Sequence, residues 1–132
     1  MADLVVTTVH TVQVFQQETA PAAVAIAAGV YCYVDANGKW ALGSGAAQGT
    51  VGRRAGISKK AVAAGEALTC VLRGSMDFDS IFSAVAFDAQ IFLSDTAGGI
   101  LGTTAGTVSK VIGVIRPAWG NITADKLLYI DL

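Results

Sequence analysis

Short runs of apolar, aromatic and β-branched residues, each ended by Gly, Asp, Asn or Pro, recur along most of the chain. Runs of this length and composition are typical of strands. They cover residues 30–34, 39–42, 67–72, 90–93, 111–115 and 127–130. One segment, residues 79–88, predicts a short helix, because an acid begins it and Ile81, Phe82 and Val85 lie near one helical face. The pattern therefore predicts an all-β fold, a small barrel or sandwich of short antiparallel strands with at most one short helix.

Two of these runs are separated by Asp35-Ala36-Asn37-Gly38, and Asn-Gly supplies the positive φ angles of a tight hairpin turn. We expect residues 30–34 and 39–42 to pair antiparallel. The segment Asp95-Thr96-Ala97-Gly98-Gly99 predicts a second hairpin in the same way, between residues 90–94 and 100–103. The chain has 15 glycines, and their positions between short strands favour a β architecture.

The two hairpins lie in longer segments that resemble each other. The matching elements are Leu42-Gly43-Ser44 with Leu101-Gly102-Thr103, Gly49-Thr50-Val51 with Gly106-Thr107-Val108, and Gly56 with Gly113. We interpret them as a duplicated unit of hairpin, loop and strand that covers about residues 30–72 and 88–130. Two copies are too few for a solenoid. The sequence thus predicts one β domain over residues 28–132, with residues 1–27 as an N-terminal arm or an added strand.

Composition limits the partners that this protein can have. Only 14% of its 132 residues are charged, against roughly 25% in ordinary soluble proteins, and the net charge is -1. Such a balance argues against direct nucleic-acid binding by electrostatic attraction. The longest uncharged stretch, residues 19–34, is shorter than the roughly 20 apolar residues of a membrane span. The first basic residue is Lys39, so we expect neither a membrane partner nor a secretory signal.

Few residues offer catalytic or metal-binding chemistry. His10 is the only histidine and lies in a β-like alternation, which predicts an exposed strand residue. Asp77 and Asp79 flank one residue and are expected to be solvated turn acids. Residues 43–49 are glycine-rich but lack the spacing of a phosphate loop, so we expect a flexible loop. The two cysteines are predicted to be reduced and buried. We therefore predict a non-enzymatic protein with no catalytic residue, cofactor or metal.

Low charge is typical of the centre of a protein interface, and two groups of residues are candidates for contacts with a partner protein or a sister subunit. The apolar residues of the N-terminal segment could add a strand to a neighbour. A compact basic group could meet an acidic protein surface, and no aromatic residue among its members points to stacking on nucleic-acid bases. The candidates are Leu4, Val6, Val12, Val14, Phe15, Arg53, Arg54, Lys59 and Lys60.

Several phrases of the sequence resemble the small head decoration proteins of tailed phages, also called capsid cement proteins. These are Ala-Gly-x-x-Cys-Tyr-Val-Asp-Ala-Asn-Gly-Lys-Trp-Ala-Leu at 28–42, Ala-Ala-Gly-Glu-Ala-Leu-Thr at 63–69, Ile-Phe-Leu-Ser-Asp-Thr-Ala-Gly-Gly-Ile-Leu at 91–101 and Lys-Leu-Leu-Tyr-Ile-Asp-Leu at 126–132. The resemblance covers about residues 28–132. It carries no catalytic or binding motif.

The resemblance implies a non-catalytic role on the exterior of the virion, with synthesis in the host cytoplasm. Members of such families are β-rich, commonly trimeric, and stabilise the expanded head by bridging major capsid subunits. An alternative is another virion part, such as a fibre, spike or tail segment. A small hydrolase or carbohydrate-binding module is a further alternative, although Trp40 and Trp119 are the only tryptophans that it could use.

Overall fold

The structure is a computed structural model, and it describes residues 3–6, 9–118 and 126–132. Its main feature is an antiparallel sheet of nine strands, which confirms the predicted all-β class. The strands are β1 (His10–Pro21), β2 (Tyr31–Val34), β3 (Trp40–Leu42), β4 (Ala55–Ser58), β5 (Ala67–Asp77), β6 (Gln90–Leu93), β7 (Leu101–Gly102), β8 (Val111–Pro117) and β9 (Lys126–Asp131). Trp119 lies outside the described residues.

Helical structure is sparse and differs in place from the prediction. Of the predicted segment 79–88, only Asp79–Phe82 is helical, as a 3₁₀ helix. A single α-helical turn, α1 (Gln48–Val51), begins in the glycine-rich segment that was expected to be a flexible loop. Thr50 explains its order, because the Thr50 hydroxyl donates to the Ser44 carbonyl at 2.8 Å.

The order of strands repeats between the two halves of the sheet. Eight strands follow the order β3-β2-β4-β5-β9-β8-β6-β7, and β5 and β9 pair at the centre between Arg73–Asp131 and Met76–Leu128. Reading outward from that pair, β4, β2 and β3 occupy the same positions as β8, β6 and β7. We call β2–β5 the first unit and β6–β9 the second unit.

Both predicted hairpins are present. In the first, Tyr33 of β2 lies opposite Ala41 of β3, and the Asp35 carboxylate accepts the Lys39 N–H at 3.0 Å across the turn. In the second, Phe92 of β6 lies opposite Gly102 of β7. Gly38, Gly98 and Gly99 adopt the positive φ angles of these turns, whereas Asn37, from which a positive φ was also predicted, does not.

The N-terminal segment is built into the sheet and is not a free arm. Its strand β1 pairs along the whole of β5, from His10 opposite Asp77 to Pro21 opposite Ala67. Before it, Asp3 forms a bridge with Gly102 of β7; after it, Ala22 forms a bridge with Trp40 of β3. The segment therefore supplies one strand and also covers the outer edges of β3 and β7. Residues 1–2 and 7–8 of the predicted arm lie outside the described residues.

Backbone hydrogen bonds join the two ends of the sheet, so the sheet curls into a half-barrel. The Tyr31 N–H donates to the Gly99 carbonyl at 2.9 Å, and the Gly99 N–H donates to the Gly43 carbonyl at 2.7 Å. A side chain at Gly99 would overlap the Tyr31 carbonyl oxygen, and its φ of 69° also favours glycine. The turn of the second hairpin therefore closes its own hairpin and also contacts the first unit.

Apolar side chains form two clusters on opposite faces of the sheet. The main core fills the concave side between the units, and it contains the fully buried Tyr31, Phe82 and Leu128. A second core lies on the outer face of the first unit, where residues 20–30 and Val62 cover the sheet. Its buried members are Ala22, Ile26, Val30, Cys32, Trp40, Leu68, Cys70 and Leu72. Both cysteines are free and buried, as predicted.

Candidate interaction surface

A groove of about 600 Å³ lies on the outer face of the second unit. One row of side chains crosses it from strand to strand, because Gln13 pairs with Ser75, Ser75 with Tyr129, and Tyr129 with Val114. Phe15, Arg116, Pro117 and Leu127 complete its lining. The equivalent face of the first unit is filled by the second core. Among the described residues, no segment covers the second unit in this way.

Strand β1 forms one wall of this groove, and its irregular pairing directs Phe15 outward. The register with β5 skips between Thr11 and Gln13 and again between Val14 and Gln16, so Val12 and Phe15 have no partner on β5. Bulges of this kind re-aim side chains. Phe15 is 57% exposed and Val14 is 36% exposed, which places an apolar patch on an otherwise polar strand.

The same strand has an open edge. One edge of β1 hydrogen-bonds to β5, and within the described part of the chain its other edge pairs with no strand. By contrast, residues 3–4 and 22–23 cover the outer edges of β7 and β3. An uncovered strand edge presents backbone donors and acceptors to any chain that can pair with them. This edge and the groove together form what we call the β1 surface.

Only part of the predicted apolar set contributes to this surface. Leu4 and Val6 pack against the main core, and the Leu4 N–H donates to the Leu101 carbonyl at 2.9 Å. Val12 is half-buried, whereas Val14 and Phe15 are exposed. The sequence singled out none of the groove residues on β8 and β9, because nothing local in the sequence indicates that positions over 100 residues apart share one sheet face.

The four basic candidates lie in two pairs, one at each end of β4. Strand β4 lies between the two pairs and spans roughly 13 Å at about 3.3 Å per residue. Arg54 makes an ion pair with Glu18 of β1 at 2.7 Å, and the Lys59 ammonium group donates to the Gln17 side chain at 3.1 Å. Arg53 and Lys60 are exposed at opposite ends of the strand. Thus two of the four brace β1, while the other two remain candidates for a partner.

A second concavity, of about 350 Å³, lies beneath residues 3–6 and is almost entirely apolar in its lining. The Asp3 carboxylate holds this segment in place. It accepts hydrogen bonds from the Ser94 hydroxyl at 2.6 Å and from the Thr96 hydroxyl at 2.8 Å. These bonds hold the pKa of Asp3 below its ordinary value. The bonds connect the start of the chain to the turn of the second hairpin.

A second aspartate stabilises the neighbouring loop in the same way. The Asp95 carboxylate accepts the Thr107 hydroxyl at 2.6 Å and the Thr107 N–H at 2.8 Å. Both bonds favour the charged carboxylate and lower the pKa of Asp95. The loop after β7 therefore owes part of its order to one ionised side chain.

Of the residues considered for chemistry, His10 and Asp77 lie opposite each other in the pairing of β1 with β5. His10 is exposed at the start of β1, as predicted. The Asp77 carboxylate accepts the Asp79 N–H at 2.8 Å and so belongs to the turn that begins the 3₁₀ helix. Across residues 3–6, 9–118 and 126–132, no three His, Cys, Asp or Glu side chains cluster in a way that could hold a metal ion.

Fold and surface together define a small antiparallel half-barrel whose edges are covered except along one strand. None of the helices in the described ranges has the length and apolarity of a membrane span. Comparison with protein-family models, curated proteins and solved structures finds no match for this chain.

Proposed function

We propose that this protein is a non-catalytic virion structural protein that binds the outer surface of a phage capsid. In this role it stabilises the expanded head by bridging major capsid subunits. The observation that carries the proposal is the run of phrases between residues 28 and 132 that resembles capsid cement proteins. The resemblance also implies association of copies, commonly as trimers, and we include self-association in the proposal.

The architecture supports a clamp role in two respects. Joining the two ends of the sheet makes the subunit stiff, since the contact uses backbone hydrogen bonds such as that of Gly99 with Gly43. The β1 surface then offers Phe15 and an open strand edge to a sister subunit. Bridging requires a subunit that transmits load between two neighbours, and a stiff sheet with an accessible edge suits that requirement.

Sedimentation of purified heads tests the proposal. Expanded heads of the phage that encodes the chain, and the same heads before expansion, are centrifuged with and without added protein. We expect the protein to pellet with expanded heads at a saturable ratio and to protect them from disruption by heat. Protein that stays in the supernatant with expanded heads contradicts the proposal, and pelleting with purified tails or fibres instead would favour the other class of virion part.

The free basic residues allow a sharper version of this experiment. Arg53→Glu combined with Lys60→Glu reverses the two exposed members of the predicted basic group, neither of which makes an ion pair among the described residues. If they meet an acidic shell, head binding weakens and loses its salt dependence. Lys39→Glu, at the exposed first hairpin turn, is the matched control and should bind as the wild type does.

A further inference from the structure

The open edge of β1 is complementary to itself. If two copies of β1 lie antiparallel with Val14 opposite Val14, then Gln13 lies opposite Phe15 and His10 lies opposite Glu18. These last two are the only titratable side chains on the strand. In this register a histidine faces a carboxylate at both ends of the ladder, and no like charges face each other. Arg54 already balances Glu18 from within its own subunit.

The side chains agree with this register. An antiparallel pair places opposite residues on the same face of the sheet. Gln13 and Phe15 both line the groove of the second unit, so each Phe15 would lie beside the mouth of the other copy's groove. The exposed apolar surface of Val14 and Phe15 would then be covered at the centre of the contact.

A second copy fits this edge better than a ring of three copies does. Strand pairing in a ring joins two different edges, and the described part of the chain leaves only the β1 edge uncovered, because residues 3–4 and 22–23 lie along β7 and β3. Pairing of an edge with itself is isologous and produces a two-fold axis. We infer that two copies of this chain associate through β1, antiparallel, about a two-fold axis at Val14.

This inference stands apart from the proposed function, because association in solution requires no capsid. The first experiment measures the mass of the purified full chain by light scattering over a range of concentrations. We expect the wild type to form dimers, and we expect Val14→Lys to shift to monomers because two lysines would face each other at the axis. Val24→Lys is the matched control, since Val24 is exposed but lies outside β1, and it should remain dimeric.

Cysteine cross-linking keeps the inference testable even if Val14→Lys fails to fold. Under mild oxidation, Val14→Cys should form a disulfide-linked dimer, because facing residues in an antiparallel pair lie about 4.5–5.5 Å apart between Cα atoms. Val24→Cys is the control and should form no disulfide-linked dimer. The native Cys32 and Cys70 are fully buried and should not interfere.

Each outcome of the light-scattering and cross-linking experiments either supports or overturns the inference. A dimeric wild type that cross-links at position 14 supports the inference. A wild type that is monomeric throughout, a trimer, or a dimer without cross-linking at Val14→Cys overturns it. Dimers that fail to sediment with heads would overturn the proposed function and leave this inference intact.

Discussion

The two units of the sheet share their strand order but differ in what lies on their outer faces. On the first unit, residues 20–30 and Val62 cover the sheet and create a second core around Trp40. On the second unit, the equivalent face is a groove with the half-buried Tyr129 near its centre. Because both units have the same strand order, the first unit shows what covers the outer face of such a sheet. The cover is a segment rich in small apolar residues that lies across the strands. The open face is therefore where we expect a partner to bind.

The largest expected effect compares one position of each outer face. Leu72 of β5 is 4% exposed in the second core, and the offset that matches Gly56 with Gly113 also matches Leu72 with Tyr129 of β9. Leu72→Ala should lower the free energy of unfolding by about 2–5 kcal/mol, because it leaves a cavity in a covered core. Tyr129→Ala should cost only about 1 kcal/mol. Urea unfolding followed by circular dichroism measures both, and equal losses would contradict the difference between the faces.

A smaller expected loss of stability tests whether both units require glycine at the aligned positions. Gly56 and Gly113 occupy aligned positions, and neither has room for a side chain. A Cβ at Gly56 would lie 2.8 Å from the Cβ of Cys70, and one at Gly113 would overlap the Tyr129 carbonyl oxygen. Each change to alanine should destabilise the fold by about 1–3 kcal/mol, with Gly113→Ala the worse because it meets backbone.

The control for these glycines is Gly49→Ala. Gly49 lies in α1 with open space where its side chain would be, and alanine favours helix, so stability should not fall. Thermal melts of the three variants provide the comparison. If Gly56→Ala or Gly113→Ala were as stable as the control, the aligned glycines would not be a steric requirement of the duplicated unit.

The smallest expected effect concerns acid. The folded-state pKa values of Asp3 and Asp95 are lowered, so their contribution to stability is present above the ordinary aspartate pKa of 3.8 and is lost as the pH falls through the folded value. Between about pH 5 and pH 3, the melting temperature of the wild type should fall more than that of Asp3→Ala combined with Asp95→Ala. An identical fall in both proteins would show that the two carboxylates contribute nothing.

Local signals in the sequence predict the hairpins well, since Gly38, Gly98 and Gly99 supply the positive φ angles of the two turns. The sequence does not predict strand β4, because Ala55–Ser58 contains few β-branched residues. Its pairing with β2 and β5 holds this segment in the extended conformation. The sequence predicts either an arm or an added strand for residues 1–27, because β1 is rich in Gln and Thr and its bulges break the alternation of apolar and polar residues.

The candidate surface was less predictable than the fold. Val14 and Phe15 could be singled out as apolar residues in a polar segment, but Leu4 and Val6 share that property and are packed against the core. What separates them is tertiary pairing, which gives no local signal. The four basic residues are close in sequence, but the sequence does not indicate that Arg54 makes an ion pair with Glu18 of β1.

Amide hydrogen exchange tests most directly whether the partner binds to the open half. Exchange is followed by mass spectrometry for the protein free in dilute solution and for the protein bound to expanded heads. The account predicts slower exchange on heads in peptides that cover β8 and β9, with little change in those that cover β2 and β3, where the outer face is already covered. Protection confined to β2 and β3, with β8 and β9 unchanged, would contradict it.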